Sequence, residues 1–403
     1  MKECKKCNYK SDHPLGITIN HDGICSGCIV HEEKDFKDWE KEQSNIIELV
    51  KQYKSKKRNI HDCIVPVSGG RDSFFTLHLV KNILKLNPLL VSYNSQYNSP
   101  TGIRNLSKLV TAFGCDIIKL TIDPSIIRRI NKQTFEYLDS IYWHVLAGET
   151  VLPVNISVKF KIPLIIWGCH QGIDQVGMFS HNDKVEMTRR YRKDHDLMGF
   201  EAEDFAKEKI LSHKDLHEFM YPSDQELSNN GTRGIYLNNY FRWDTMLQHK
   251  QMVEEYNFET RQLKNTFDNC NDTHCEIHNS IHDLLKLKRL GYSRITDHVN
   301  REIRFNRINK DQSKILINFY EDQIASSISF KDVFLMTGIN EKEFKSKLKK
   351  LDSKFLNNMP KKNRSTKSDF EKVKKSLKIP SNEFAGVDDN RKKPILLGRG
   401  WHD

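Results

Sequence analysis

The hexapeptide Ser68-Gly69-Gly70-Arg71-Asp72-Ser73 has the residue types and the setting of a phosphate-binding loop, because it follows an apolar run at residues 63–67 and precedes a helical pattern. Two glycines let the backbone approach a ligand closely, and the free N–H groups at a helix start attract an anion. The hydroxyls of Ser68 and Ser73 can donate further hydrogen bonds, and Asp72 can hold Mg²⁺ beside the phosphates. No Lys follows the glycines, so this is not the Walker pattern. The competing interpretation is an ordinary glycine turn capped by Asp72.

Four cysteines near the N-terminus, Cys4, Cys7, Cys25 and Cys28, form two C-x-x-C pairs separated by 17 residues. This spacing fits the two-knuckle zinc pattern, and four thiolates give a closed tetrahedral site whose expected role is structural. A disulfide framework is less typical of a cytosolic chain, whereas an iron–sulfur cluster can use the same four ligands. The sequence thus predicts a zinc-ribbon-like module over residues 1–34.

The remaining cysteines give weaker signals. Cys270 and Cys275 have C-x4-C spacing, which leaves a second metal site and a pair of unligated thiols as open interpretations. Cys63 and Cys115 lie in or beside predicted strands, where small core residues are expected.

Apolar runs alternate with helical patterns along the middle of the chain. Strands are predicted at residues 63–67, 88–93, 115–122 and 162–168, and helices at residues 35–53, 73–86, 103–113 and 124–160. Repeated strand–helix units predict an α/β fold, a doubly wound parallel sheet that binds ligands at the C-terminal ends of its strands.

Three turns that follow predicted strands should therefore line one crevice. They are the loop at Ser68, the polar run that begins at Tyr93-Asn94 and the turn Gly168-Cys169-His170. Gly168 would let the backbone come near a nucleotide. For the side chains of these turns, simple loop polarity is the alternative interpretation.

Two later segments are candidates for enclosing a substrate. Residues 174–265 have poor periodicity and many aromatic residues, and their arginines Arg189, Arg190 and Arg192 are either an anion clamp or a solvated charge run. Residues 278–304 concentrate histidines, carboxylates and arginines around a glycine turn, as substrate ligands or as a salt-bridged helix pair. The candidate substrate residues there are His282, Arg294, Asp297 and Arg301.

The net charge of +11 over 403 residues is concentrated in one segment. Residues 341–380 carry 14 Lys or Arg against 5 Asp or Glu, which leaves the other 363 residues nearly neutral. A Lys-rich segment with few aromatic residues is more typical of a solvated tail than of a nucleic-acid interface, so nucleic acid is not an expected partner. No apolar run reaches the ~18 residues of a membrane span, and no signal-peptide pattern is present, so we expect a cytoplasmic protein.

The SGGRDS loop resembles that of the PP-loop ATP pyrophosphatases, which adenylate a carbonyl oxygen and release pyrophosphate. The cysteine knuckles, the turn Trp167-Gly168 and the late stretch HD…LGYSR.TDH…REIR are together similar to the N-acetyl sugar amidotransferases of bacterial surface-polysaccharide and nonulosonate biosynthesis. The resemblance covers residues 1–320. It implies the zinc module at 1–34, a PP-loop ATP pyrophosphatase domain with a substrate-binding insertion at 35–320, and a helical, basic C-terminal extension at 321–403.

The resemblance also implies a reaction. ATP held by Ser68, Gly69, Gly70, Asp72 and Ser73 would adenylate the acetamido oxygen of a sugar, and ammonia would then displace AMP to give an acetamidino group. Asp72 with Mg²⁺ would stabilise the departing pyrophosphate, and Arg71 would stabilise charge beside it. Tyr93 and Asn94 would contact adenine, with Gly168 close to the nucleotide. The family often has an acidic or amide residue where this chain has Cys169.

No glutaminase nucleophile is visible in the chain. The resemblance therefore implies that ammonia comes from a separate HisH-like glutaminase through a HisF-like barrel subunit. The competing enzyme is a tRNA sulfur transferase of the same fold, with Cys115, Cys169 or the Cys270/Cys275 pair as sulfur carrier. A zinc-ribbon nucleic-acid adaptor is a third reading, but it leaves SGGRDS unexplained.

Overall fold

The computed structural model describes residues 2–54, 61–270, 273–275, 277–324, 328–351 and 366–383. Its centre is a five-stranded, wholly parallel sheet in the order β3-β2-β1-β4-β5. The strands are β1 (Cys63–Pro66), β2 (Pro88–Tyr93), β3 (Asp116–Leu120), β4 (Leu164–Trp167) and β5 (Arg233–Tyr236). The order reverses at β1, so the doubly wound α/β fold is confirmed and its crevice lies beside the loop that follows β1.

Helices cover both faces of this sheet and extend beyond it. Those up to β5 are α1 (Ser26–Phe36), α2 (Trp39–Lys51), α3 (Arg71–His78), α4 (Pro100–Phe113), α5 (Pro124–Leu138), α6 (Trp143–Phe160), α7 (Gln171–Asp174), α8 (Arg189–Tyr191), α9 (Ala202–Lys207), α10 (His213–Leu216) and α11 (Asp224–Asn230). Those after β5 are α12 (Thr245–Tyr256), α13 (Ile277–Leu290), α14 (Arg294–Arg304), α15 (Lys310–Ile324), α16 (Phe330–Thr337), α17 (Glu341–Leu351) and α18 (Lys367–Ser376). Two π-helical turns, Leu79–Ile83 and Arg192–Asp196, continue α3 and α8.

All six residues of β2 are buried, as expected for a strand covered on both faces. One apolar core fills the space between the sheet and helices α3, α4 and α12, and includes Phe74 and Trp243. A second core lies on the opposite face against α5 and α6, and includes Trp143 and Ile165. The two cores hold the strand ends in fixed positions, which is what a site built on the following loops requires.

Several predicted elements differ from the observed ones. The helix predicted at 124–160 is two helices, because Asp139 has a left-handed backbone (φ 53°) that ends α5. The linking helix predicted at 35–53 is also two helices, and α2 begins where the Asp38 side chain accepts a hydrogen bond from the backbone N–H of Lys41. Strand β5 was not predicted and lies inside the segment interpreted as an insertion.

The C-terminal helices dock on the body of the protein. Phe370 of α18 stacks on Phe319 of α15 with ring centroids 3.5 Å apart, and Phe344 of α17 stacks on Phe135 of α5. The basic segment is therefore partly packed instead of wholly solvated, although its residues 352–365 lie outside the described residues. The domain boundaries remain a prediction: α1 crosses 34/35 and α15 crosses 320/321. Within the described ranges, no helix combines the length and the apolarity that crossing a lipid bilayer demands.

Candidate functional site

The SGGRDS loop has the geometry of an anion site. Gly69 has a φ of +80°, and a Cβ there would lie 3.0 Å from the backbone N of Leu106, so a larger residue does not fit. Helix α3 starts directly after Gly70 with no side chain capping its N-terminus. The Ser73 hydroxyl accepts a hydrogen bond from the backbone N–H of Ser68 at 3.0 Å and closes the loop. The first N–H groups of α3 are thus available to a phosphate.

A cavity of about 840 Å³ adjoins this loop. It is walled by the loop, the turn after β4, helices α13 and α14, and the N-terminal module. Seven of the residues singled out from the sequence line it, namely Arg71, Asp72, Cys169, His282, Arg294, Asp297 and Arg301. Its size falls within the range of small-molecule sites, and it joins the SGGRDS loop to the late histidine–arginine stretch.

The other predicted nucleotide residues do not line this cavity. Tyr93 is buried beneath α6, where its hydroxyl bonds to Nδ1 of His144 at 2.9 Å. Asn94 is held in the turn after β2, because its side-chain oxygen accepts hydrogen bonds from the Gln96 backbone N–H and the Asn98 side chain. Gly168 lies against Thr76 of α3, where a Cβ would come within 2.7 Å of the hydroxyl. Adenine contact by Tyr93 and Asn94 stays a prediction.

A buried ion network connects the phosphate loop to α14. The Arg71 side chain is only 4% exposed; its Nε donates to Asp72 at 2.8 Å, and its Nη1 lies 3.5 Å from Oδ2 of Asp268. The same oxygen of Asp268 accepts a hydrogen bond from Nη2 of Arg301 at 2.8 Å. Arg71 also contacts the ring of His249, whose pKa is lowered by burial and by Arg71, so that ring is neutral. Asp268 thus fixes two cavity arginines at once.

Replacing Asp268 by Asn is expected to lower the free energy of unfolding by about 3–5 kcal/mol, because two buried guanidinium groups lose their shared counter-ion. Burial would raise the pKa of Asp268, but the charged Arg301 and Arg71 hold it well below 3.8. The contribution of this carboxylate is therefore complete above pH 3.8 and is lost as the pH falls. Urea unfolding at neutral and acid pH measures it. The exposed-site control Asp311→Asn should change stability by less than about 0.5 kcal/mol, and equal stability of both variants would contradict the role given to Asp268.

The four N-terminal cysteines form a buried cluster. Cys4, Cys7, Cys25 and Cys28 are fully buried and not disulfide-bonded, and their sulfur atoms all lie within 4.8 Å of one another. The backbone N–H groups of Cys7 and Cys25 point at the sulfur of Cys4, at 3.5 and 3.3 Å. Thiolate ligands about 2.3 Å from a tetrahedral zinc lie about 3.8 Å apart, so the cluster fits this metal. The residues accord with the predicted structural site.

No other such cluster exists in the described part of the chain. Cys270 is buried in the core between sheet and helices, and the backbone of Cys275 forms a bridge to Asn98. His274 lies against the start of α4, where a Cβ on Gly102 would overlap its backbone. These residues therefore fix the loop beside the phosphate site, and the second-metal interpretation gains no support.

The cysteine module forms one wall of the cavity. The Tyr9 hydroxyl donates to Asp297 at 2.6 Å, and His13, which lines the cavity, bonds to the Tyr292 hydroxyl at 2.7 Å. Arg304 lies between the second cysteine knuckle and the turn after β4, where its Nη1 donates to the backbone oxygen of Gln175 at 2.7 Å. The module thus positions α14 as well as closing the site.

Several functional candidates had no signal in the sequence. Lys34 of α1 is fully buried, forms an ion pair with the cavity residue Asp174, and donates to the backbone oxygen of Trp243 at 3.1 Å. Asp196, in the π-helical turn, also lines the cavity. Cys169 lies at the position expected, and burial raises the pKa of its thiol well above the ordinary value. It is therefore a neutral thiol at physiological pH.

The arginines considered as an anion clamp have other partners. Arg189 pairs with Glu201 and Glu203, and Arg192 donates to Glu201 at 2.8 Å. Arg190 is exposed and lies 3.6 Å from Asp194. None of the three lines the cavity. Their observed role is to fix the segment that carries the π-helical turn.

Comparisons with known proteins cover parts of the chain. Residues 262–363 match the family described as LPS biosynthesis protein WbpG-like, C-terminal domain. The matched region contains the stretch from His282 to Arg304, and a WbpG-like domain therefore forms one wall of the cavity.

A curated relative, an uncharacterized protein of Methanocaldococcus jannaschii, is 31% identical over 123 residues, which are 30% of this chain and 43% of the relative. The chain thus matches less than half of that protein's length. Among solved structures, the chain is similar to the NH3-dependent NAD synthetase from Campylobacter jejuni, with 17% identity, 48% of this chain and 94% of the other covered, and a TM-score of 0.28. It is also similar to the U34-tRNA thiolase NcsA from Methanococcus maripaludis, with 12% identity and a TM-score of 0.29. This match covers 81% of this chain and 89% of the thiolase.

Proposed function

We propose that this protein, whose residues 262–363 form a WbpG-like C-terminal domain, is an ATP-dependent amidotransferase of lipopolysaccharide or related surface-glycan biosynthesis. It adenylates the acetamido oxygen of an N-acetyl sugar and installs ammonia to give an acetamidino sugar, AMP and pyrophosphate. The observation that carries the proposal is that Asp72 of the phosphate loop lines the same cavity as Arg294 and Arg301 of the region that matches the WbpG-like family.

Fixed cations in the cavity can bind an anionic substrate. Its basic lining residues are Arg71, Lys286, Arg289, Arg294, Arg301 and Arg304. Several of their heads are oriented by neighbouring groups: Arg289 donates to the backbone oxygen of Leu138 at 2.9 Å, and Lys286 pairs with Asp297. Such fixed cations suit the phosphates of ATP and of a nucleotide-linked sugar.

The chain's residues suit the first step as follows. The N–H groups at the start of α3 would bind phosphate oxygens of ATP beside the cavity. The acetamido oxygen of the sugar attacks the α-phosphorus of ATP. The bond between this phosphorus and the oxygen of pyrophosphate then breaks. The Asp72 side chain is 40% exposed, and one of its carboxylate oxygens accepts a hydrogen bond from Arg71. The other oxygen can bind Mg²⁺. When bound there, Mg²⁺ neutralises charge on the pyrophosphate.

The second step requires ammonia. Attack of ammonia on the adenylated carbon forms the carbon–nitrogen bond, and cleavage of the carbon–oxygen bond releases AMP. We propose that the HisH-like glutaminase and the HisF-like barrel subunit supply this ammonia. Zinc in the cysteine module would have a structural part, holding the wall that carries His13.

Mass spectrometry of the sugar tests the proposed reaction. Incubation of the purified protein with ATP, Mg²⁺, ammonium and nucleotide-linked acetamido sugars is expected to lower the sugar mass by about 1 Da, since NH replaces O. The same sugar without its acetamido group is the matched control and should remain unchanged. Consumption of ATP with no mass change on any acetamido sugar would contradict the proposal, and turnover with glutamine alone would contradict the separate glutaminase.

Sulfur transfer remains the alternative. It needs a reactive thiolate, whereas burial raises the pKa of Cys169 well above its ordinary value and that of Cys115 to about 11. Cys270 is likewise held as a neutral thiol by burial, which raises its pKa. A product about 16 Da heavier than its substrate, as expected when sulfur replaces oxygen, would favour this alternative if the Cys169→Ser variant no longer formed it.

A further inference from the structure

Asp196 differs from every other carboxylate that lines the cavity. The lining carboxylates are Asp72, Asp174, Asp194, Asp196 and Asp297. Four have counter-ions, namely Arg71 for Asp72, Lys34 for Asp174, Arg190 for Asp194 and Lys286 for Asp297. The Asp196 carboxylate forms no hydrogen bond or ion pair with any residue that the structure describes. Among the carboxylates that line the cavity, Asp196 is therefore the one available to a ligand.

The surroundings of Asp196 are aromatic and fixed. Its π-helical turn is held by Arg192, whose Nη1 donates to Glu201 and whose Nε donates to Thr150, both at 2.8 Å. Tyr191 stacks near the rings of His170 and His195, with centroids 4.3 and 4.7 Å away. The carboxylate of Asp196 acts on the neutral hydroxyl groups of Tyr191 and Tyr236, and a carboxylate among neutral side chains is suited to accept a proton from a small nitrogen nucleophile.

The position of Asp196 in the fold suits an incoming nucleophile. The negative charge of Asp196 contributes to the raised pKa values of Tyr191 and of Tyr236 at the end of β5. Cys169, after β4, acts on the pKa values of both tyrosines in the same direction. Strand β4 lies between β5 and β1, and the phosphate loop follows β1. Asp196 and Asp72 line the same cavity, so a group bound at Asp196 shares that cavity with a substrate activated at the phosphate loop.

We propose that Asp196 receives ammonia in this part of the cavity and takes one proton from the nitrogen as it attacks. This inference rests on the proposed function. Ammonia adds to the protonated O-adenylyl imidate, the new nitrogen carries a positive charge, and Asp196 removes one proton from it. The carbon–oxygen bond then breaks, so AMP leaves with the electron pair and the sugar keeps an amidinium group. Asp196 is thereby a catalytic residue of the second step alone.

Titration of Asp196 supports this assignment. Burial raises the pKa of Asp196 to about 7, even though Arg192 lowers it. The other titratable groups around it are Tyr191 and His195 on its own segment, Tyr236 and Cys169. The tyrosines and Cys169 have pKa values raised by burial and stay neutral, and burial lowers the pKa of His195. Asp196 is then the group that changes charge near neutral pH in this part of the cavity.

The variant Asp196→Asn separates the two steps. Sugar-dependent exchange of pyrophosphate into ATP, measured without ammonia, reports adenylation and should stay within about twofold of the parent protein. Ammonia-dependent product formation should fall by about a hundredfold. At a constant concentration of free ammonia, the parent rate should rise with pH through about 7 as Asp196 loses its proton, and Asp196→Asn should lack this rise.

Control variants decide between the outcomes. Asp196→Glu keeps the carboxyl group and should retain a pH-dependent amination rate, whereas Asp311→Asn, at an exposed carboxylate, should match the parent. Loss of exchange together with amination in Asp196→Asn, or a raised sugar KM with an unchanged pH profile, would overturn the assignment of Asp196 to the attack of ammonia. Absence of exchange in the parent with any acetamido sugar would instead overturn the proposed function.

Discussion

Replacement of Asp72 by Asn is expected to lower sugar-dependent pyrophosphate exchange by about a thousandfold, equivalent to about 4 kcal/mol of transition-state stabilisation. Asp72 is the carboxylate that the phosphate loop presents to the cavity, and it is the residue we assign to Mg²⁺. An amide keeps its size but removes the charge that holds the ion. Raising the Mg²⁺ concentration should restore part of the exchange rate.

The effect should be catalytic because the fold does not depend on Asp72. Arg71 loses one partner in the variant but keeps Asp268, which is buried and 3.5 Å away. Thermal unfolding should therefore change little. Asp116→Asn serves as control, since that carboxylate is 81% exposed, on the far edge strand β3, and should exchange pyrophosphate at the parent rate. Exchange within about threefold of the parent in Asp72→Asn would remove Asp72 from the reaction.

Replacement of Cys28 by Ser is expected to release the metal of the cysteine module and to unfold that module, because structural zinc contributes about 10 kcal/mol to small domains of this kind. The consequence should reach the cavity. Without the module, Asp297 loses the Tyr9 hydroxyl and Tyr292 loses His13. Binding of the sugar should weaken more than binding of ATP, whose loop has no contact with the cysteines.

Metal content per chain, thermal unfolding and reactivity of the cysteines toward a thiol reagent measure this outcome independently of activity. Cys115→Ser is the matched control, since Cys115 is a buried thiol far from the cluster and its variant should keep one metal ion per chain. A parent protein without metal, or a Cys28→Ser variant with full metal content, would contradict the structural role. An ion other than zinc would correct the identity alone.

Elements encoded by local pattern could be predicted from the sequence. Strand β2 was predicted with its observed ends, since six consecutive buried residues form an apolar run that begins at a proline. Helices α16 and α17 lie in the C-terminal extension that was predicted to be helical, and each has apolar positions at helical spacing. The phosphate loop was recognisable because its chemistry lies in six consecutive residues between a strand and a helix.

Features that depend on distant contacts could not be predicted. Strand β5 has four residues, two of them only half-buried, and exists because it pairs with β4 about 70 positions earlier. The break between α5 and α6 contains no glycine or proline that would have indicated it. The residue with the left-handed backbone there is Asp139. Likewise, Asp268 shows no motif, and only folding brings it between Arg71 and Arg301.

Several residues of the candidate site could be singled out from the sequence, but the contacts between them could not. The late stretch was open to interpretation as substrate ligands or as a salt-bridged helix pair. The structure shows the ion pair between Asp297 and Lys286 and places both residues at the cavity, and their role as substrate ligands stays a prediction. Asp196 gave no signal, because a lone Asp in a charged segment is ordinary. Its distinction is the absence of a counter-ion among described residues, which only the packed structure shows.

The contacts of the cysteine module have a consequence for synthesis of the chain. Asn8 bonds to Asn300 and Ser313, which are 292 and 305 positions later. At ~5–20 residues per second, the ribosome completes these partners roughly 15–60 s after the module emerges. During that interval the module lacks these two partners, and bound metal would stabilise the contact between its two knuckles. Metal supply during translation, more than metal supply to the finished protein, should therefore determine the yield of active molecules.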